Sequence, residues 1–473
     1  MNPGLSRFLT GLTGTTGTTP GGLHLPDRDF DRRTFLALAG AGAGALTLAA
    51  CAGPSTAAGG STPSATSTTD WSGVKPAKQV SFWSNHPGGS QAVEKALVEK
   101  FNASQSAITV TLVTAGASYE EVAQRFQTAL TGGGLPGLVM FSDVWWFRYY
   151  LNQSIIPLTS LLKAVKVDTA DFRPSFYSDY RYAGEQWAVP YARSTPLFYY
   201  NKSHWAAAGL PARAPKTWNE FSEWAPKLMG AGVGTQKAFQ YPAVAGYAGW
   251  TFQNNAWGWG GAYSHDWDVT IDADPVVSAL DWIRKGVQED KWAGVTANDQ
   301  AADIASGAVS ATVSSTGSLV GILKSATFDV GVGYLPGGPS ATEPVCPSGG
   351  AGIGIPQAIT PEEQLAAATF LKFLTLPENT VAFSAATGYI PTRTSADTSA
   401  LTAKAPQIST AIDQIAVVRT QDRARVFLPG GDKAIADGFG RVVTQNEDPK
   451  TVLTAVKAQL QDIYTRDVKP KLA

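Results

Sequence analysis

The chain has 473 residues, of which 44% are hydrophobic and 16% charged, and its formal net charge is −1. This composition predicts a globular protein long enough for two lobes with substantial cores. Nucleic acids and anionic membrane surfaces are bound through clustered basic side chains, so the near-neutral balance argues against both partners.

The first fifty residues have the pattern of an export signal. Arg32 and Arg33 stand directly before a weakly apolar run of Ala, Gly and Leu at 36–50, which is too short for a stable transmembrane anchor. The run leads into Leu-Ala-Ala-Cys, which resembles the lipobox of bacterial lipoproteins, in which the Cys thiol receives diacylglycerol. Residues 1–50 are therefore predicted to be a twin-arginine lipoprotein signal peptide, with Cys51 as the lipidated residue. The alternative is a buried, Ala-rich helix.

Residues 51–78 are predicted to be a flexible tether. Most of this segment is Gly, Ser, Thr, Pro and Ala, a composition that cannot bury enough apolar surface to fold. The chain has two cysteines, so acylation of Cys51 leaves Cys346 without a disulfide partner. Cys346 is predicted to be a packed or partly exposed side chain rather than a nucleophile.

Strand and helix patterns alternate from residue 79 onward. Apolar residues recur at helical spacing in Gln91–Asn102 and Tyr119–Leu130. Strands are predicted at Gln79–Trp83, Ile108–Val113 and Leu138–Phe141, the last being a continuous apolar run typical of a fully buried strand. This alternation predicts a parallel sheet with helices on both faces. In such sheets, ligands bind at the carboxyl ends of the strands.

Two local patterns are typical of a ligand site. Asp143 directly follows the third of these strands, where a carboxylate can accept hydrogen bonds from ligand hydroxyls. Capping of the following helix explains Asp143 equally well. Aromatic residues, among them Tyr247 and Trp250, concentrate in a Gly-rich stretch where a packed core would favour aliphatic residues. Such rings are suited to stack against a ligand.

Several motifs, in order and spacing, resemble one family. They are Val-Pro-Tyr at 189–191, Leu-Phe-Tyr-Tyr-Asn-Lys at 197–202, Pro-Lys-Thr-Trp at 215–218, Ser-Gly-Gly-Ala-Gly at 348–352 and Thr-Gly-Tyr-Ile-Pro at 387–391. Together they are similar to the extracellular solute-binding proteins that include the maltose and glycerol-3-phosphate receptors. The resemblance covers essentially all of 79–473. It is closest to the subfamily for glycerol 3-phosphate and glycerophosphodiesters, particularly its lipoprotein branch selective for glycerophosphocholine.

The resemblance implies an α/β, two-lobed, type II periplasmic-binding-protein-like fold with the ligand cleft between the lobes. Residues 79–190 and 350–388 are expected in lobe 1, and residues 191–349 and 389–473 in lobe 2. Ligand binding is expected to close the lobes by a hinge motion. The closed protein then docks on the permease subunits of an ABC importer, whose separate ATPase supplies energy, so no cofactor is expected. A monomer, lipid-anchored to the outer face of the bacterial cytoplasmic membrane, is expected.

The resemblance also implies the ligand-binding residues. Tyr119 and Asp143 match a tyrosine and an acidic residue that hydrogen-bond glycerol hydroxyls. Trp250 matches an aromatic residue of the subfamily. Tyr247 stands where members vary between Trp and Leu, and it either narrows the pocket or stacks on choline. An Arg fork, hydroxyl donors and close backbone amides suit phosphate, and the matching positions are Ser194, Ser315, Gly349, Gly350, Tyr389 and Arg425.

Three other functions would use some of the same sequence features. A disaccharide or other carbohydrate also suits aromatic rings and an acidic residue, whereas Arg425 and the glycine amides favour phosphate. A secreted glycerophosphodiesterase needs clustered metal ligands, but the histidines are scattered, at His24, His86, His204 and His265. The sequence also has no nucleophile elbow with suitable partners, no P-loop and no dinucleotide fingerprint. No catalysis and no metal site are therefore predicted, and an adhesive role would not need an aromatic cleft.

Overall fold

The computed structural model describes residues 69–297 and 299–472. The predicted signal peptide, Cys51 and residues 51–68 of the predicted tether lie outside the described residues. Two residues within the predicted tether contact the folded protein. The indole of Trp71 donates to Ser160 Oγ at 3.2 Å, and the Ala77 amide donates to the Glu362 carbonyl at 2.8 Å. The packed part of the chain therefore begins before residue 79, because Trp71 is large enough to pack partly buried against the core.

Strands and helices alternate along most of the described chain. The strands are β1 (Gln79–Ser84), β2 (Thr109–Thr114), β3 (Leu138–Ser142), β4 (Arg181–Tyr182), β5 (Glu185–Gln186), β6 (Val189–Ser194), β7 (Pro196–Asn201), β8 (Phe239–Tyr241), β9 (Ser264–His265), β10 (Asp268–Val269), β11 (Ala293–Val295), β12 (Ala311–Ser315), β13 (Val330–Gly333), β14 (Cys346–Pro347), β15 (Gly349–Gly354) and β16 (Val418–Arg419).

The α-helices are α1 (Gln91–Ser104), α2 (Tyr119–Gly132), α3 (Trp146–Leu151), α4 (Thr159–Ala164), α5 (Pro174–Ser178), α6 (Lys202–Ala207), α7 (Trp218–Gly230), α8 (Gly249–Gly258), α9 (Asp274–Gln288), α10 (Gln300–Ala305), α11 (Leu319–Ser325), α12 (Pro361–Leu374), α13 (Pro377–Thr387), α14 (Ser399–Lys404), α15 (Gln407–Asp413), α16 (Arg423–Val426), α17 (Gly431–Gln445), α18 (Pro449–Ile463) and α19 (Lys469–Leu472). Short 3₁₀ and π turns lie at Pro87–Gly89, Val244–Ala248, Thr316–Ser318, Gln414–Val417 and Tyr464–Val468.

The first large sheet has the strand order β2-β1-β3-β15-β6 and defines lobe 1. Strand β1 runs parallel to both β2 and β3, whereas β15 runs antiparallel to β3 and to β6. The predicted strands and helices between residues 79 and 141 are confirmed, each to within two residues at its ends. Their apolar faces meet in a core in which Phe82 of β1 contacts Phe370 of α12, with ring centroids 6.1 Å apart.

The second large sheet has the strand order β11-β8-β12-β7-β13 and defines lobe 2. Strands β6 and β7 are separated in sequence by Thr195 alone, yet they belong to different sheets. Arg193 and Ser194 pair with Gly350 and Gly349 of β15 in the first sheet. Residues 193–194 and Gly349 thus pair within the first sheet, although the predicted lobe boundaries lie at 190/191 and 349/350. The lobe boundaries themselves stay a prediction.

Apolar contacts also join the lobes beside the cleft. Phe147 of α3 stacks on Phe427, with 4.3 Å between ring centroids and 11° between ring planes. Within lobe 2, helix α17 packs against α9 and α18, and Gly438 of α17 lies against Val456 of α18. Within the described ranges, no helix combines the length and apolar character that crossing a bilayer requires.

Candidate functional site

Asp143 lies at the carboxyl end of β3 and is only 3% exposed. Its amide donates to the Gly350 carbonyl at 3.0 Å, which fixes the residue against β15. Its Oδ1 accepts from Ser142 Oγ at 3.1 Å and its Oδ2 accepts from Gln421 Nε2 at 2.6 Å. The N-cap of α3 is Trp145, without a side-chain cap. The alternative that Asp143 caps this helix is therefore wrong, and its carboxylate points to the residues of the cleft instead.

Arg425, on the short helix α16 of lobe 2, reaches the same carboxylate. Its Nη1 donates to Gln421 Oε1 and lies 3.5 Å from Asp143 Oδ2, while its Nε donates to Asp432 Oδ1 at 2.6 Å. Burial acts to lower the pKa of Arg425, but Asp432 and Asp143 outweigh it and the pKa is raised. Nη2 has no hydrogen-bond partner among the described residues. The guanidinium is thus held rigidly with one edge left to donate.

Tyr119 and Tyr389 bring two phenols together. Tyr119 opens α2, whose N-cap Ser118 accepts from the Glu121 amide at 3.2 Å. Its Oη lies 3.4 Å from the Oη of Tyr389. Burial raises the pKa of both phenols, and the electrostatic effect of Tyr389 raises that of Tyr119 further. Both phenols are therefore neutral in the physiological range and can donate or accept hydrogen bonds.

Gly349 and Gly350 lie where backbone and side chain pack most closely. A Cβ on Gly349 would lie 2.5 Å from the Trp250 ring, and Trp250 Nε1 donates to the Ser348 carbonyl at 2.8 Å. Gly350 has φ +97°, and a Cβ there would lie 2.0 Å from the Ala192 carbonyl oxygen. Both glycines are therefore required by packing, which is a reason that the sequence did not show. One face of the Trp250 ring is covered by Gly349.

Three further predicted residues lie along the same cleft. Ser194 is buried at the end of β6, and its hydroxyl has no hydrogen bond within the described parts of the chain. Ser315 ends β12, and its Oγ accepts from the Gly317 amide at 3.0 Å. The Tyr247 ring lies 6.0 Å from that of Trp250, at 55°. Burial raises the pKa of Tyr247, and hydrogen bonds with Ser318, Gln300 and Ser314 oppose this shift.

Shared contacts join the ten predicted residues into one network. Tyr389 packs on Gly317 beside Ser315, and its phenol is close enough to Tyr247 and Arg193 to respond to their charges. The charge of Asp143 likewise acts on the Tyr119 phenol and raises its pKa. The residues brought together are Tyr119, Asp143, Ser194, Tyr247, Trp250, Ser315, Gly349, Gly350, Tyr389 and Arg425.

A buried ion pair beside this network was missed by the sequence analysis. Arg193 is fully buried in β6, where its Nη1 donates to Tyr180 Oη at 2.7 Å and its Nη2 donates to Asp179 Oδ2. Ser348 Oγ donates to the same Asp179 oxygen at 2.5 Å. Burial raises the pKa of Asp179 to about 6, against the lowering effects of Arg193 and Ser348. An arginine within a run of buried strand residues was the signal available, since such a charge needs a partner.

His86, His204 and Cys346 have separate surroundings. His86 pairs with Glu94 at 2.6 Å, and His204 hydrogen-bonds Ser310 at 2.9 Å. Cys346 is buried, which raises the pKa of its thiol, so of the two predicted environments it has the packed one. In the described part of the chain, no group of three or more His, Cys, Asp or Glu side chains is arranged to hold a metal ion.

Comparison with known proteins identifies the class to which this fold and cleft belong. The sequence profile of the bacterial extracellular solute-binding proteins matches residues 96–410, and the chain belongs to that family. The predicted family and its two-lobed α/β fold are thereby confirmed. Proteins of this kind are the extracytoplasmic, substrate-binding components of ABC importers rather than enzymes.

Two groups of relatives are informative. UgpB from Mycobacterium tuberculosis, solved in complex with glycerophosphocholine, is 42% identical with a TM-score of 0.79, and the match covers 83% of this chain and 100% of that one. The sn-glycerol-3-phosphate-binding periplasmic protein UgpB of Escherichia coli K12 is 26% identical over 330 residues, covering 66% of this chain and 74% of that protein. The GacH receptor of Streptomyces glaucescens, solved with acarbose, is 20% identical with a TM-score of 0.71, covering 82% and 98% of the two chains. It shares the fold alone.

Proposed function

We propose that this protein captures glycerophosphodiesters, glycerophosphocholine foremost, or glycerol 3-phosphate, and delivers them to the permease of an ABC importer. The observation that carries the proposal is Arg425, a buried guanidinium on lobe 2 whose Nη2 is free to donate beside the lobe 1 carboxylate Asp143. The glycerophosphocholine complex of the 42% identical M. tuberculosis protein supports the same ligand class.

The groups around Arg425 suit one phosphate and its neighbouring hydroxyls. Arg425 donates to the phosphate oxygens through a fork that Asp432 holds in place. Ser194 and Tyr389 add neutral donors. Asp143 accepts hydrogen bonds from glycerol hydroxyls, since a carboxylate presents acceptors only. The ligand therefore takes the position between the lobes and links them when they close.

The local charge favours a ligand with one negative charge over a ligand with two. Arg425 faces two carboxylates, Asp143 and Asp432, so little positive charge remains for the phosphate. A diester carries one phosphate charge, whereas a phosphate monoester approaches two because its second pKa is about 6. The ring of Tyr247, which is less buried than Trp250, can attract the choline cation by about 0.5–2 kcal/mol.

A disaccharide is the second candidate, and one observation weighs against it. Sugars stack on aromatic rings with an exposed face, but Gly349 covers one face of Trp250 and the ring is 5% exposed. The carbohydrate-binding neighbours share the fold at about 20% identity. A secreted glycerophosphodiesterase is a weaker alternative and predicts release of glycerol phosphate from the diester.

We also propose how the chain is built and located. Residues 1–50 are a twin-arginine signal peptide and Cys51 carries the lipid that anchors a monomer to the outer face of the cytoplasmic membrane. Lobe 1 comprises about 79–194 and 349–388, and lobe 2 comprises about 196–348 and 389–472, with boundaries taken from the strand pairing.

Calorimetry with the purified protein tests the ligand class. Glycerol 3-phosphate, glycerophosphocholine and maltose are titrated separately, and each sample is then assayed for released glycerol phosphate. Binding of either phosphorylated ligand without its breakdown supports the proposal. Binding of maltose alone would show that the ligand is a carbohydrate. Breakdown of the diester would show that the protein is an enzyme.

A further inference from the structure

A cavity of about 370 Å³, lined in part by Asp143 and Gln421, opens beside the phosphate site. One wall belongs to lobe 1 at 178–182, and the other walls belong to lobe 2 at 264–266 and 419–427. Asp143 and Gln421 line both this cavity and the site already described. The volume lies within the ~300–1,000 Å³ that small-molecule pockets usually enclose. The cavity therefore continues the ligand cleft.

The floor of the cavity presents a carboxylate oxygen that accepts no hydrogen bond from the described residues. The Asp179 side chain is 7% exposed, and both of its hydrogen bonds, from Arg193 and Ser348, go to Oδ2. Oδ1 has no hydrogen bond in the described residues, although Asp179 lines the cavity. This oxygen is therefore available to accept a hydrogen bond from a molecule in the cavity. A ligand hydroxyl would supply the missing donor.

The rim presents a guanidinium that the protein does not use. Arg181 is exposed on β4 and makes no ion pair or side-chain hydrogen bond within 69–297 and 299–472. The two other arginines at the rim are engaged. Arg419 lies 4.6 Å over the Trp257 ring and 3.8 Å from Asp422, and Arg423 lies 3.1 Å from Asp266. Arg181 is thus the rim arginine left to donate.

Apolar surface completes the lining. The Tyr182 and Phe427 rings meet edge to face, 5.8 Å apart at 87°, and both line the cavity. Acceptor, donor and ring surfaces thus surround one space. A purely anionic ligand would leave the Asp179 acceptor unpaired, and a purely cationic ligand would leave Arg181 unpaired. A group with both hydroxyl donors and acceptors on a C–H framework satisfies all three.

We infer that this cavity is a polyol subsite of the cleft, taking a cyclic polyol carried by a glycerophosphodiester, of which inositol is the representative size. This inference rests on the proposed function. It adds a hydroxyl-binding end at Asp179 and Arg181 to the aromatic end at Tyr247 and Trp250, while Asp143 and Arg425 keep the glycerol and phosphate groups. The same protein thereby accepts diesters with different head groups.

Calorimetry with glycerophosphoinositol, glycerophosphocholine and glycerol 3-phosphate tests the inference on three variants. Arg181→Gln removes the free donor, and Thr420→Trp places bulk at the cavity wall. Arg466→Gln is the matched control, because its side chain is 61% exposed on the C-terminal helices. We expect Arg181→Gln to weaken the binding of glycerophosphoinositol roughly two- to tenfold, and Thr420→Trp to weaken it further. All three variants should leave the affinities for glycerophosphocholine and glycerol 3-phosphate unchanged.

The outcomes separate this inference from the function on which it rests. If the unaltered protein binds glycerophosphocholine but not glycerophosphoinositol, or if neither cavity variant weakens glycerophosphoinositol, the subsite is refuted and the proposed function stands. If the cavity variants weaken every ligand equally, the cavity has no head-group selectivity and the inference is also refuted. If the unaltered protein binds none of the three, the proposed function fails, and the subsite with it.

Discussion

Asp143 of lobe 1 and Arg425 of lobe 2 face each other across the cleft, with 3.5 Å between Oδ2 and Nη1. Gln421 connects the same two groups, because its amide donates to Asp143 and its carbonyl accepts from Arg425. The two lobes therefore touch through polar groups that a ligand can also engage. Closure and ligand recognition are consequently coupled at this point.

Replacing Arg425 should affect phosphorylated ligands most. Loss of a buried, charge-assisted contact costs about 2–5 kcal/mol, so Arg425→Ala is expected to weaken their binding well over tenfold. Arg441→Ala is the control, because Arg441 lies on α17 and forms an exposed ion pair with Glu447. Calorimetry with the phosphorylated ligands measures the effect, and melting curves check that both variants fold. Unchanged affinity in Arg425→Ala would remove this residue from the site.

Glycerophosphocholine should bind more tightly than glycerol 3-phosphate at pH 7.5. The difference should narrow as the pH falls towards 5, because glycerol 3-phosphate gains a proton near pH 6 and becomes a monoanion while the diester keeps its charge. Competition calorimetry at both pH values provides the measurement. The opposing effect is steric, since the Tyr247 ring narrows the space beside Trp250. Equal or tighter binding of glycerol 3-phosphate at pH 7.5 would show that the steric effect dominates.

Asp179 should make stability fall as pH rises through about 4 to 6. Burial raises its pKa in the folded protein from 3.8 to about 6, so the folded state holds a proton that the unfolded state releases in this window. The bound proton stabilises the fold below the window, and this stabilisation, on the order of 3 kcal/mol, is lost above it. Urea unfolding of the protein and of Asp179→Asn at several pH values measures the difference. Identical pH profiles would contradict the shifted pKa.

Gly350→Ala should lower the free energy of unfolding by more than the cost of placing an alanine in a left-handed backbone conformation. Its φ is +97°, and the added Cβ would lie 2.0 Å from the Ala192 carbonyl oxygen. Gly184→Ala is the matched control, with φ +83° and open space around the position. The control is expected to cost about 1 kcal/mol and Gly350→Ala at least 2–3 kcal/mol. Equal losses in the free energy of unfolding would mean that the Ala192 backbone moves away from the added Cβ at no energetic cost.

Cys51→Ala should release the protein from membranes. The twin arginine and the Leu-Ala-Ala-Cys motif predict lipidation of Cys51, and loss of the lipid removes the anchor. Cell fractionation followed by immunoblotting provides the measurement, and Cys346→Ala serves as the control because that thiol is buried. Persistence of Cys51→Ala in membranes after a high-salt wash would disprove the lipoprotein assignment.

The sequence predicted individual strands and helices well where the apolar residues follow a single strand-like or helix-like spacing. Strands β1, β2 and β3 and helices α1 and α2 follow directly from their apolar spacing. The position of β15 does not, because its neighbours β3 and β6 are chosen by contacts across more than 150 residues.

The candidate site was predicted in part. Motif resemblance selected the ten residues that the fold brings together, including Arg425, although a lone arginine is more often exposed than buried. The pair of Arg193 and Asp179 was not predicted, because it depends on hydrogen bonds that Asp179 accepts from Arg193 and from Ser348. The roles of Gly349 and Gly350 also needed the structure, since their packing partners lie far away in sequence.

The placement of β15 has a consequence for how the chain is made. Its residues, Gly349–Gly354, fill the gap between β3 and β6, which are complete once residue 194 has been synthesised. At about 5–20 residues per second, the ribosome needs on the order of 10–30 s to supply the missing strand. During that time the nascent first lobe exposes unpaired strand edges, which favour aggregation. The second lobe must therefore be largely synthesised before the first can finish folding, and early translational arrest should leave a product that a chaperone must hold.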